Sequence, residues 1–210
     1  MVRNVQVYVV EDDEAVRGSI CWLMESADHP ALGLASAPEL LERLPLEGPA
    51  CIVTDVRMPG VSGVELLAQL SERGCQLPVV VITAHGDIQL AVEVMKLGAV
   101  DFVEKPFDEK ALLKAVERAL AESRQRLETL SADAEVRRRF EQLTQRERQV
   151  LEMILAGKPN RRVAVELDIS EKTVEAHRAH IMEKTGAGSF AELVTRAVQT
   201  GFMKSGGARP

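Results

Sequence analysis

The segment VQVYVVEDD (residues 5–13) joins an apolar, β-branched run to three consecutive acids. Four more short apolar runs follow it within the first half of the chain. The five runs cover residues 5–10, 32–36, 50–54, 78–82 and 100–104. Nearly continuous β-branched stretches of this length are typical of strands that are buried on both faces of a sheet.

Amphipathic segments separate these runs. Their apolar residues recur at helical spacing, as in the sets Val16, Ile20, Leu23, Met24, Ala27 and Leu112, Ala115, Val116, Ala119, Leu120. Alternating strands and helices predict a parallel sheet with helices on both faces. We therefore expect an α/β fold over residues 1–122, a doubly wound five-stranded parallel sheet that binds its ligand beyond the carboxyl ends of the strands.

Polar residues follow four of the five predicted strands. They are Glu11, Asp12 and Asp13 after the first, Asp55 after the third, Thr83 after the fourth, and Lys105 with Pro106 after the fifth. Crowded carboxylates repel one another unless a cation neutralises them, and an oxygen-only ligand set suits Mg²⁺. A lysine and a hydroxyl nearby would bind phosphoryl oxygens. Each residue alone could be a helix cap or a solvated charge, but the complete set favours a phosphoryl-binding site.

Four segments of this region resemble the receiver domain of two-component response regulators, and specifically the FixJ subgroup. They are VVEDDEAVR (residues 9–17), IVTDVRMPGVSG (52–63), VVITAHGD (80–87) and AVDFVEKPF (99–107). The resemblance implies a CheY-like fold in which Asp55 accepts a phosphoryl group from a sensor histidine kinase. It further implies that Asp12, Asp55 and the backbone carbonyl of Arg57 hold Mg²⁺ (or Mn²⁺), with Glu11 acting through water.

The same resemblance assigns the residues that sense phosphorylation. Thr83 and Lys105 would contact the phosphoryl group, with a cis peptide bond between Lys105 and Pro106. Phe102 would be the aromatic switch residue that rotates inward when Thr83 moves, although an ordinary core position is the alternative. In relatives, the fourth helix and fifth strand pair two phosphorylated receivers. The resemblance places four residues on this face: Ile88, Val92, Met95 and Lys96.

Residues 123–142 contain neither glycine nor proline and are rich in Arg, Glu, Ala and Leu, which favours a helical linker. Leu120, Leu127, Leu130 and Ala134 form only a partial heptad, so a coiled coil there would be weak. A solvated, charged spacer remains the alternative interpretation.

Residues 143–210 contain the capping and helix-ending residues of four short helices, which predicts a small all-α domain. Thr144 and Glu147 form a capping box ahead of one apolar face, Val150, Leu151, Ile154 and Leu155. Gly157 ends that helix. We expect the next three helices to be capped in turn by Asn160, Ser170 and Ser189.

The third of these helices has two distinct faces. Val174, His177 and Ile181 should pack inward. The opposite face carries Lys172, Glu175, Ala176 and Ala179, flanked by Arg178 and His180. Small and hydrogen-bonding residues ringed by cations suit the major groove of DNA, although an ordinary solvent-exposed face would look similar.

The segment LTQRERQVLEMILAGKPNRRVAVELDISEKTVEAHRAHIMEKTG (143–186) resembles LuxR-type helix-turn-helix domains throughout. The resemblance implies that Glu175, Ala176 and Ala179 face base edges. It also implies phosphate contacts by Asn160, Arg161, Lys172, Thr173, Arg178 and Lys184. The chain departs from the family pattern at Thr185, where a large apolar residue is common, and has no lysine at the base-facing positions.

The charge distribution and composition are compatible with a DNA-binding regulator. The net charge is −6, but the acidic excess lies in the first domain, whereas the last part is mildly basic, which permits nucleic-acid binding without proving it. No apolar run approaches a membrane span and no signal peptide is evident, so we expect a cytoplasmic protein without a membrane partner. The three cysteines lack pairing or metal-ligand spacing.

We therefore predict a phosphorylation-dependent, DNA-binding transcriptional regulator that is not an enzyme. Its expected partners are a sensor histidine kinase, double-stranded DNA, RNA polymerase and, after phosphorylation, a second copy of the chain. Three alternatives remain: a metal-dependent phosphatase with Asp55 as nucleophile, an RNA-binding antiterminator, and a switch that binds only proteins.

Overall fold

The structure, a computed structural model, describes residues 6–46, 48–83 and 88–202, apart from the side chains of Gln6, Ile88 and Gln89. The chain divides into two compact units, Met1–Glu128 and Thr129–Pro210. No helix in the described ranges is long and apolar enough to span a membrane.

The first unit is built on a parallel five-stranded sheet, as the sequence predicted. The strands are β1 (Gln6–Val10), β2 (Ala31–Leu34), β3 (Ala50–Asp55), β4 (Val79–Thr83) and β5 (Asp101–Glu104). Their order is β2-β1-β3-β4-β5, and every neighbouring pair runs parallel. This order brings the carboxyl ends of β1, β3 and β4 side by side.

Helices cover both faces of the sheet. They are α1 (Glu14–Ser26), α2 (Ala37–Leu41), α3 (Gly63–Glu72), α4 (Ile88–Lys96) and α5 (Glu109–Glu141). Alternate residues of β1 enter different cores: Val7 and Val9 pack with apolar residues of α1 and α5, whereas Tyr8 and Val10 pack with those of α2 and α3. The central strands β1, β3 and β4 are therefore buried on both faces.

The helix α5 extends through most of the predicted linker. Within the first unit, the buried Ser123 hydroxyl accepts a hydrogen bond from the Ala50 backbone N–H at 3.1 Å, and Arg126 donates to the Gln76 carbonyl at 2.6 Å. Within the second unit, Phe140 is buried in the core. Between them, Leu130 and Ala134 are exposed.

The second unit consists of the end of α5 and four short helices, which agrees with the predicted all-α domain. The helices are α6 (Gln145–Leu155), α7 (Asn160–Leu167), α8 (Glu171–Thr185) and α9 (Phe190–Gln199). Its core contains Phe140, Leu143, Val150, Leu151, Ile154, Val163, Ala164, Val174, Ile181, Ala187, Leu193 and Ala197. His177, expected to pack inward, is only half-buried.

Most of the predicted helix caps in this unit are confirmed. Thr144 and Glu147 form a full capping box, and the side chains of Ser170 and Ser189 each accept from a backbone N–H of the first turn. Gly157 follows α6 with a positive φ of 78°.

The predicted cap of α7 is wrong. Pro159 occupies the cap position, and Asn160 is the first helical residue. The physical reason is that the Asn160 side-chain oxygen accepts a hydrogen bond from Arg178 of α8 at 2.9 Å.

Thr185 stands where the family pattern has a large apolar residue. It is fully buried, and its hydroxyl donates to the Ile181 carbonyl at 2.7 Å. The polar atom is thereby satisfied inside the helix.

Candidate functional site

An acidic cluster lies at the carboxyl edge of the sheet. Glu11 and Asp12 follow β1, and Asp55 ends β3, the neighbouring strand. One carboxylate oxygen from each of the three residues lies within 4.8 Å of the others. Glu11 and Asp55 are buried, whereas Asp12 is exposed. Parallel pairing thus brings together three acids that are up to 44 positions apart in the sequence.

Lys105 closes the cluster from the β5 side. Its ammonium nitrogen lies 2.6 Å from Glu11 Oε2 and 3.3 Å from Asp55 Oδ2. The backbone N–H of Lys105 donates to the Thr83 carbonyl at 2.6 Å, and the following bond to Pro106 is cis, as expected. Lys105 therefore joins the end of β4 to the acids on β1 and β3.

Burial and charge act against each other within this group. Burial raises the pKa of Glu11, only partly offset by the hydrogen bond from Lys105, and the neighbouring Asp55 charge raises that pKa further. Burial would lower the pKa of Lys105, but the contacts with Glu11 and Asp55 outweigh it and raise the pKa overall. Lys105 therefore remains protonated at neutral pH beside the acids.

The position of Asp55 is fixed by contacts with the residues beside it and with the start of α3. Its Oδ1 accepts from the Val56 N–H at 2.8 Å, and the Thr54 hydroxyl donates to its carbonyl at 3.1 Å. Gly63, the first residue of α3, lies directly against that carbonyl, since a Cβ built on Gly63 would sit 2.2 Å from the Asp55 oxygen. The carboxylate therefore projects from a closely packed turn.

The oxygens of the cluster fit a small divalent cation. Ligands on opposite sides of Mg²⁺ are about 4.2 Å apart because each Mg–O bond is about 2.1 Å. The observed limit of 4.8 Å needs only a small side-chain adjustment. Arg57, whose carbonyl the resemblance to receiver domains implies as a further ligand, is exposed two residues after Asp55.

Phe102, the predicted aromatic switch residue, and the described side chains of the predicted pairing face are exposed. Phe102 is 39% exposed, so it is not a core residue in this structure. On α4, Val92 and Met95 are 47% and 45% exposed, and Lys96 is also exposed. The side chain of Ile88 lies outside the described residues.

The predicted DNA-reading face of α8 is open to solvent. Lys172, Glu175, Ala176 and Ala179 are all exposed, as is Arg161 on α7. These exposures agree with the expected helix face.

The remaining predicted DNA contacts have partners within the protein. Arg178 donates to Asn160 and lies over the Phe190 ring, 5.8 Å from its centroid. Lys184 pairs with the buried Glu147 at 2.7 Å. The half-buried Thr173 hydroxyl lies 2.8 Å from that of Ser170.

Comparisons with known proteins agree with both units. Residues 7–117 match the response regulator receiver domain, and residues 141–197 match the bacterial regulatory proteins of the luxR family. The transcriptional regulatory protein FixJ of Azorhizobium caulinodans is 46% identical over 211 residues, covering 100% of both chains. The chain belongs to the FixJ-type response regulators. It is a phosphorylation-dependent transcriptional regulator with a receiver domain and a LuxR-type DNA-binding domain.

Other relatives of this response regulator also match nearly its full length. FixJ of Rhizobium meliloti is 42% identical and covers 95% of this chain and 98% of its own. The structure of the response regulator StyR is 41% identical with a TM-score of 0.81, covering 92% of this chain and 98% of its own. Full-length FixJ from B. japonicum is 39% identical with a TM-score of 0.58, covering 97% and 100%.

Two further residues of this response regulator contribute to the site without having been predicted. Gly63 permits the close approach to the Asp55 carbonyl, and the only sequence signal was its place in the segment MPGVSG. Arg17 of α1 donates hydrogen bonds to main-chain carbonyls of the acidic loop, residues 11–13, which follows β1. Nothing in its helical spacing distinguishes it from a solvated surface charge.

Proposed function

We propose that Asp55 accepts a phosphoryl group from a sensor histidine kinase and that this modification strengthens promoter binding by the second unit. The observation that carries the proposal is the convergence of Glu11, Asp12, Asp55 and Lys105 at one edge of the sheet. The proposed division is a phosphoacceptor domain over residues 1–122, a helical linker over 123–142 and a DNA-binding domain over 143–210.

The geometry favours Asp55 over its acidic neighbours as the acceptor. Asp13 caps α1, since its side chain accepts from the N–H groups of Ala15 and Val16. Glu11 is buried and bound at short distance by Lys105. Asp55 lies at the end of the central strand with its Oδ2 facing the lysine.

The remaining residues have complementary roles. Asp12, Asp55 and the Arg57 carbonyl hold Mg²⁺ or Mn²⁺, with Glu11 acting through water. When bound, the ion neutralises the crowded carboxylates and the incoming phosphoryl oxygens. Lys105 and the Thr83 hydroxyl contact the phosphoryl group.

Phosphorylation of Asp55 has a direct test. Incubation of the full-length protein with acetyl phosphate and Mg²⁺ should add one phosphoryl mass. The Asp55→Asn variant should gain none, and Asp13→Asn should still be labelled. Equal labelling of wild type and Asp55→Asn would refute the assignment.

The site is that of a regulator rather than of a separate enzyme. The exposed face of α8 supports a DNA partner, and we propose that the protein acts in the cytoplasm and contacts RNA polymerase at promoters. Steady turnover of a generic phosphate ester would instead favour the metal-dependent phosphatase.

We propose that phosphorylation acts by pairing two receivers. Rearrangement at Thr83 and Phe102 would favour a pairing surface that includes Ile88, Val92, Met95 and Lys96. The exposure of Val92 and Met95 supports this surface. Joining two copies makes the second DNA contact intramolecular, which strengthens binding by roughly 10²–10⁴-fold when the geometry fits.

The pairing mechanism competes with release of an inhibited DNA-binding unit. Under pairing, Val92→Asp should abolish both dimerisation and tight DNA binding while leaving Asp55 phosphorylation intact. Trp22→Asp is a matched control, because Trp22 is 67% exposed on α1 and lies outside the proposed surface. Sedimentation and DNA titration of the phosphorylated proteins decide the question. Tight binding by a monomeric Val92→Asp protein would end the pairing model.

A further inference from the structure

The guanidinium group of Arg17 binds the main chain of the acidic loop. Its Nη1 donates to the Glu11 carbonyl at 2.7 Å and to the Asp12 carbonyl at 3.2 Å. Arg17 lies in the first turns of α1, the helix that follows this loop. One side chain thus holds two consecutive peptide units that carry acids of the cluster.

The neighbouring strand leaves room for the Arg17 stem. A Cβ on Gly33 of β2 would sit 3.1 Å from Arg17 Cγ, 3.2 Å from its Cδ and 3.2 Å from Cys21 Sγ. These distances are shorter than ordinary van der Waals contacts. Glycine at position 33 therefore allows the arginine stem to lie against the strand and reach the loop.

The orientation of Asp12 depends on this main-chain support. Glu11 is held by Lys105, and Asp13 is held by the N-terminus of α1. Among the described residues, no side chain or main-chain group forms a hydrogen bond or ion pair with the Asp12 carboxylate. Its direction therefore follows from the main chain that Arg17 holds.

We propose that Arg17 is a positioning residue for the divalent metal site and that Gly33 provides the space it needs. Arg17 acts through the carbonyls of Glu11 and Asp12 and does not touch the ion. The inference rests on the proposed function, since it assumes that the acidic cluster binds Mg²⁺. Removing an outer partner of this kind typically weakens metal affinity by about 10–100-fold.

An effect of charge alone would have the opposite sign. A cation close to the cluster repels a second cation, so its removal would strengthen Mg²⁺ binding if Arg17 acted only through its charge. Positioning predicts weaker binding for Arg17→Met, which keeps an apolar stem but loses the donors. It also predicts weaker binding for Arg17→Lys, which keeps the charge but has a shorter side chain, so its ammonium group does not reach both carbonyls that Arg17 Nη1 contacts.

Calorimetric titration of the full-length protein with Mg²⁺ tests the proposal. We expect binding about tenfold weaker for Arg17→Met and Arg17→Lys, with a smaller loss for Gly33→Ala, where the charge is unchanged. Arg73→Met is the matched control, because Arg73 also donates to a main-chain carbonyl, that of Leu41. It should bind Mg²⁺ like wild type.

A kinetic readout separates positioning from loss of fold. In phosphorylation by acetyl phosphate, the Mg²⁺ concentration for half-maximal rate should rise in the Arg17 variants, while the rate at saturating Mg²⁺ approaches that of wild type. Equal or tighter Mg²⁺ binding by Arg17→Met overturns the proposal, as does wild-type affinity in Arg17→Lys. Failure of wild type itself to bind Mg²⁺ would instead refute the proposed function.

Discussion

Substitution of Gly63 by alanine should destabilise the first unit, whereas the same substitution at Gly18 should stabilise it. A Cβ at position 63 would lie 2.2 Å from the Asp55 carbonyl oxygen and 3.0 Å from Val56 Cα. Both partners are main-chain atoms, so no side-chain rotation relieves the contact. The start of α3 or the end of β3 must move by about 1 Å, and overpacking of this kind costs about 1–3 kcal/mol or more.

Gly18 provides the matched control on α1. A Cβ there meets nothing within 4 Å, and Gly18 is exposed in the helix interior. Alanine is favoured over glycine at such positions by about 1 kcal/mol. The two variants make the same chemical change, so their opposite effects would isolate the contact with Asp55.

Urea unfolding of the full-length variants, followed by circular dichroism, measures both effects. Gly63→Ala should lower the midpoint of the receiver transition, and Gly18→Ala should raise it. Because the contact displaces Asp55, Gly63→Ala should also slow labelling by acetyl phosphate, by as much as about 100-fold. A Gly63→Ala protein as stable as wild type would contradict the packing described for this turn.

Two predictions concern the DNA-binding unit. Burial would raise the pKa of Glu147, but hydrogen bonds from Lys184 and Thr144 outweigh it and lower the pKa. The ionised Glu147 carboxylate therefore stabilises the folded unit at any pH above the pKa that Glu147 has in the unfolded chain. This stabilisation is lost as the pH falls through the lower pKa that Glu147 has in the folded unit. Glu147→Gln should cost about 1 kcal/mol at pH 7 and reduce the acid sensitivity of urea unfolding; unchanged acid sensitivity would count against the ion pair. Glu175→Ala should reduce the discrimination between bases at one position of the DNA site by about 1–3 kcal/mol. Lys172→Ala should instead weaken the binding of all DNA sequences alike and reduce the slope of log affinity against log salt concentration by about one. Binding-site selection and salt titration test this pair, and an unchanged motif in Glu175→Ala would mean that α8 docks differently.

Local pattern was sufficient to predict the sheet and the acidic edge. The runs that form β1, β3 and β4 are buried on both faces, and the ends of all five strands fall within two residues of the predicted bounds. Parallel pairing then brings Asp12, Asp55 and Lys105 together because the carboxyl ends of parallel strands share one edge. The short helix α2 (Ala37–Leu41) was not predicted, since five residues are too few to show a helical period.

Features that depend on contacts between distant residues could not be read from the sequence. Asn160 has the side chain of a good helix cap, but Arg178, 18 positions later, takes up its oxygen. Ser123 belongs to a charged segment, but Ala50 donates to it from the start of β3. Gly63 required the position of the Asp55 carbonyl to be known. In each case the partner is determined by tertiary structure rather than by neighbours in the chain.

DNA affinity measured before and after phosphorylation tests the central claim most directly. The full-length protein would be titrated by fluorescence anisotropy against a duplex selected from random oligonucleotides, with and without acetyl phosphate and Mg²⁺. Phosphorylation should tighten binding by roughly 10²–10⁴-fold in wild type, and the affinity of Asp55→Asn should not change. Equal affinity of phosphorylated and unphosphorylated wild type, or a gain in Asp55→Asn, would contradict control of DNA binding through Asp55.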